Sequence, residues 1–82
     1  MLYRFEVTDM QAKKGSISRA EKSDIISYIS SIETEAASGK KAFRMLADRT
    51  NGHLSRESTD TEAKITLPDY GDCRITVALR TV

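Results

Sequence analysis

His53 and Cys73 are the chain's lone histidine and lone cysteine, and their settings differ. His53 follows Asn51-Gly52 in polar sequence, the context of an exposed loop histidine. Cys73 alternates with Ile75, Val77 and Leu79, the context of a small buried hydrophobe. A nucleophilic or metal centre needs several such groups converging, and neither a Cys-x-x-Cys pair nor a His-x-x-x-His spacing occurs. Ser38-Gly39-Lys40-Lys41 fails as a phosphate loop: the pattern requires Gly where Thr34 stands and Ser or Thr where Lys41 stands. Glu33 and Glu35 are two apart in a stretch read as helix, hence on different faces, and Asp69 and Asp72 fit turn chemistry. The expectation is a non-enzymatic protein with no catalytic residues, no cofactor and no metal.

With 82 residues, the chain has room for one domain, residues 1–82, whose function rests on a single small core. Hydrophobic residues at 39% and charged residues at 30% describe a globular class. Thirteen Lys+Arg against twelve Asp+Glu leave a net charge of +1, so any attraction to a polyanion must come from a local surface. The apolar runs are short, no signal-peptide core is visible, and the single cysteine cannot pair within the chain. These features predict a cytoplasmic protein that does not enter the membrane.

Tyr3, Phe5 and Val7 alternate with Arg4, Glu6 and Thr8, which predicts a half-buried strand over 2–8 and a loop over 9–17. Ser18-Arg19-Ala20-Glu21 fits a capping box, so a long helix should begin there. Ile25, Ile29, Ile32 and Ala36 continue its stripe until Ser38-Gly39 interrupts it. A shorter helix is expected over about 40–50, although Phe43, Met45 and Ala47 also alternate as a strand would. Residues 53–61 lack a usable period and read as a mobile connection. Ala63, Ile65 and Leu67, then Cys73, Ile75, Val77 and Leu79, flank a turn and predict a hairpin. The expected fold is α+β in the order β-α-α-β-β: a three-stranded antiparallel sheet, made of the N-terminal strand and C-terminal hairpin, with both helices on one face.

Such a domain leaves three surfaces for binding. Ser23, Ser27, Ser30, Ser31 and Thr34 fall opposite the Ile stripe, making a flat polar helix face suited to a protein partner or a second copy in a homodimer. Arg4, Lys64, Arg74 and Arg80 fall on the outer sheet face, relieved by Glu6 alone, which suits nucleic acid as the alternative partner. Basic sequence also flanks the helix starts, at Lys13, Lys14, Arg19 and Lys22, then at Lys40, Lys41 and Arg44, and reads as solvated charge.

The element order resembles that of small ribonuclease toxins of the RelE type, yet no C-terminal cluster of Lys, Arg, His or Tyr supplies their acid–base chemistry. A ribbon-helix-helix repressor also begins with a strand and two helices, but joins the first two through a short turn and lacks a C-terminal hairpin. A nearly neutral α+β chain without a catalytic constellation looks like the small accessory proteins of bacteria and their phages. Protein–protein contact is the expected function.

Overall fold

A computed structural model describes residues 1–13, 15 and 17–82, so Lys14 and its share of the basic run lie outside the described residues. The alternation of Tyr3, Phe5 and Val7 builds β1 (Leu2–Gln11), which runs beyond 2–8. A bulge explains the extension: β1 pairs Val7 with Val77 and then Asp9 with Thr76, leaving Thr8 as the extra residue. The inserted residue shifts the side-chain parity, so Met10 comes inward opposite Ile75 while Asp9 and Gln11 turn outward. A strict period of two breaks at that point, which is why 9–11 reads as loop.

Ser18 caps α1 (Arg19–Ser31) through the expected box: its hydroxyl accepts from the Glu21 N–H at 3.1 Å, and Glu21 Oε1 accepts from the Ser18 N–H at 3.2 Å. The helix then stops earlier than the Ile stripe implies. Ile32 takes extended angles, and Glu33–Glu35 form β2, paired antiparallel to β1 with Tyr3 opposite Thr34. Ile32, Thr34 and Ala36 satisfy an alternating pattern as well as a helical one, and the edge of β1 decides between them by offering backbone partners.

Ser38 caps α2 (Gly39–Arg49), which buries Ala42, Phe43, Leu46 and Ala47. His53–Leu54 then form β3, a two-residue strand paired with Thr66 and Ile65 of β4 (Glu62–Leu67). A 3-10 turn over Pro68–Tyr70 leads into β5 (Cys73–Thr81), which lies between β4 and β1. The sheet is therefore five-stranded, antiparallel and curled into a half-barrel in the order β2-β1-β5-β4-β3, rather than three-stranded. Both added strands are edges of two or three residues, too short to show periodicity in sequence. Short edges also limit the backbone offered for unwanted pairing.

The inner face of this sheet and the two helices enclose one core. Phe5 meets Phe43 at 5.9 Å between ring centroids, tilted by 47°, with Ile25, Ile29, Ile65, Ile75 and Val77 fully or almost fully buried around them. Cys73 is fully buried there too, and burial pushes its thiol up from the ordinary value while Lys22 pulls it down.

Residues 55–62 are not a free connection. The Ser55 N–H donates to the Lys64 carbonyl at 2.9 Å, the Lys64 N–H to Ser58 Oγ at 3.3 Å, and the Glu62 N–H to Thr59 Oγ1 at 3.1 Å. Ser and Thr hydroxyls thus finish the outer edge of β4 where β3 ends. The same composition that reads as loop provides these bonds.

Candidate functional site

Ser23, Ser27, Ser30 and Ser31 are exposed on α1, and Ser31 Oγ donates back to the Tyr28 carbonyl at 2.6 Å. Thr34 does not join them. It is a buried residue of β2, 7% exposed, because the helix has ended before it. Glu33 and Glu35, expected on different faces, share one face of that strand.

The outer sheet face is not the basic surface expected. Arg4, Lys64, Arg74 and Arg80 share it with Glu6 and also with Asp9, brought there by the bulge, with Glu33 and Glu35 of the added strand, and with Glu62. Arg4 bonds Glu33 through Nε at 2.8 Å and through Nη2, and Arg80 holds Glu6 in the same manner. These two arginines are occupied. Lys64 and Arg74, without ion pairs among the described residues, lie on the same face toward its β3 edge, where Arg74 pairs with Thr66 and Thr66 with His53 of β3.

Unpaired positive charge gathers instead between α2 and the β3 arm. A cleft of about 490 Å³ is bordered by Lys40 and Arg44 from α2 and by His53 and Arg56 from the arm. Among the described residues the ion pairs are Met1 amino group to Glu35, Arg4 to Glu33 and Arg80 to Glu6, so Lys40, Arg44 and Arg56 have none. Asp48 is the carboxylate at the rim. Lys40 and Arg44 are one helical turn apart, a like-charge spacing that costs a few tenths of a kcal/mol in an isolated helix.

Hydroxyls complete the lining. Ser58 Oγ accepts from the Lys64 N–H and Ser55 Oγ from the Glu57 N–H, so each keeps its own proton to donate. The arm is fixed to α2 by Asp60, whose Oδ1 accepts from the Lys40 N–H at 3.0 Å. Gly52 lets β3 approach: a Cβ there would meet Ile65 Cγ2 at 2.7 Å. Cations and hydroxyl donors around an open cleft are the chemistry of phosphate binding.

Lys40 and Arg44 are visible in the sequence as basic residues of a short helix, whereas Arg56, His53 and the serines sit in a stretch without period, and the pairing of β3 with β4 together with the Asp60 contact to α2 brings them to the cleft. Among the described residues no group of three or more His, Cys, Asp or Glu is arranged to hold a metal ion, and no helix is long and apolar enough to cross a membrane. No family model, no curated protein and no solved structure matches this chain.

Proposed function

We propose that this protein is a non-enzymatic binding module that takes a nucleic-acid strand by its phosphates in the cleft between α2 and the β3 arm. The observation that carries the reading is the concentration of Lys40, Arg44 and Arg56, without ion-pair partners, around two hydroxyl donors in a chain of net charge +1. Lys64 and Arg74 extend the positive track beside His53 onto one corner of the sheet, while Arg4 and Arg80 are held by carboxylates. The non-enzymatic reading is supported by a buried thiol at Cys73 and by an exposed His53 that no acidic or hydroxyl side chain among the described residues bonds.

Fluorescence anisotropy with a labelled single-stranded oligonucleotide tests this. Three neutralised phosphates give a slope of log affinity against log salt of roughly −2, at about −0.7 per contact on single strands. The oligonucleotide should remain intact after prolonged incubation. No binding at low salt overturns the binding reading, and cleavage of the strand overturns the non-enzymatic one.

A further inference from the structure

We infer that a second cleft, beyond the Asn51-Gly52 turn, stacks a base of the bound strand between Tyr28 and Tyr70. This rests on the phosphate-cleft reading and deepens it: the ligand is single-stranded, because a base within a duplex is not free to enter.

The cleft measures about 320 Å³ and is walled by Tyr28 of α1 and Tyr70 of the 3-10 turn. Ile25, Ile29 and Leu67 form its floor and are almost fully buried. The tyrosines are 49% and 36% exposed, so two aromatic rings stand at the water boundary over an apolar base. Arg49, Asn51 and Asp69 at the rim supply donors and acceptors for the edge of a heterocycle.

Continuity identifies the occupant. Asn51 lines this cleft and its neighbour Gly52 lines the cationic one, so the two sites meet at a single turn. An aromatic platform beside a positive groove is the arrangement by which proteins hold single strands, phosphates in the groove and bases on the rings. Arg49 and Asp69 offset each other at this rim, so it is the cationic cleft across the turn that favours a ring delivered by an anionic chain over the side chain of an uncharged peptide.

The test compares wild type with Tyr28→Ala/Tyr70→Ala and Tyr28→Phe/Tyr70→Phe, using labelled oligothymidylate and an abasic strand of equal length. Wild type should prefer the base-bearing strand by about tenfold or more. The alanine pair should lose that preference while keeping the abasic affinity and the salt slope, and the phenylalanine pair should retain it. Thermal melting of each variant separates lost stacking from lost folding. Equal wild-type affinity for both strands, or a preference that survives the alanine change, overturns the proposal but leaves the phosphate cleft standing. Displacement of the strand's base preference by a neutral aromatic peptide overturns it in favour of a protein segment. Binding to neither strand removes the phosphate-cleft reading itself.

Discussion

Asp60 is joined to the first turn of α2 twice: its Oδ1 accepts from the Lys40 N–H at 3.0 Å, and its carbonyl oxygen lies where a Cβ on Gly39 would come within 1.9 Å. Backbone at 39 and backbone at 60 therefore touch, and glycine is the residue that permits it. The contact carries the 55–62 arm, and with it Arg56, to the side of α2 that bears Lys40 and Arg44.

Gly39→Ala should force the arm away from the helix. Overpacking of this kind costs on the order of 2 kcal/mol or more, which in a domain of this size lowers Tm by roughly 10 °C. Thermal unfolding followed by circular dichroism checks it; an unchanged Tm would contradict the close approach.

Asp60→Ala removes a cap while leaving the core untouched, and should cost about 1 kcal/mol. Oligonucleotide affinity should fall with it, because Arg56 is no longer held opposite Arg44. Denaturant melting and anisotropy on the same preparation measure both effects. Lost stability with intact binding would show that the arm's position is irrelevant to the cleft.

Arg4→Ala and Arg80→Ala each open an exposed ion pair on the outer sheet face. Pairs of this sort contribute about 0–1 kcal/mol, so stability should change little, and nucleic-acid affinity should be retained. Urea melts and binding titrations of the single variants decide the matter.

How far the sequence reveals this molecule depends on element length. The capping box at Ser18 and Glu21 and the hairpin of β4 and β5 are long or chemically distinctive, and their signals are local, whereas the α2 segment also alternates as a strand would and buries Phe43 while exposing Met45. β2 and β3 are defined by what they pair with, so Ile32-Glu33-Thr34 looks helical and His53-Leu54 looks like loop until β1 and β4 are placed beside them. The site follows the same division. Lys40 and Arg44 are legible on a helix, whereas Arg56 depends on a contact between Gly39 and Asp60, twenty-one positions apart in number, that no periodicity announces. The outer sheet face misleads for a related reason: Glu33, the partner of Arg4, comes from the unforeseen strand β2, and the parity shift at Thr8 adds Asp9 to the face.

Cys73 should resist aqueous thiol reagents in the native state and react fully once unfolded, since its side chain is fully buried on the inner face of β5. Its folded pKa is raised, mainly by burial, so the folded chain holds the thiol proton more tightly than the unfolded one. That contribution to stability is complete below the ordinary value of 9.0 and is lost as pH rises from there through the raised folded value. Melts across alkaline pH of wild type and Cys73→Ala should show the steeper decline in wild type; parallel curves would mean the thiol is not ionising differently in the two states.

The cationic cleft is tested most directly by one anisotropy titration series across salt, comparing Lys40→Ala/Arg44→Ala/Arg56→Ala with Arg4→Ala/Arg80→Ala on the same single-stranded oligonucleotide. The triple variant should lose at least about tenfold in affinity at low salt, with its salt slope reduced by roughly 2, while the double variant stays close to wild type. Equal losses in both variants, or an undiminished slope in the triple variant, would contradict phosphate binding between α2 and the β3 arm.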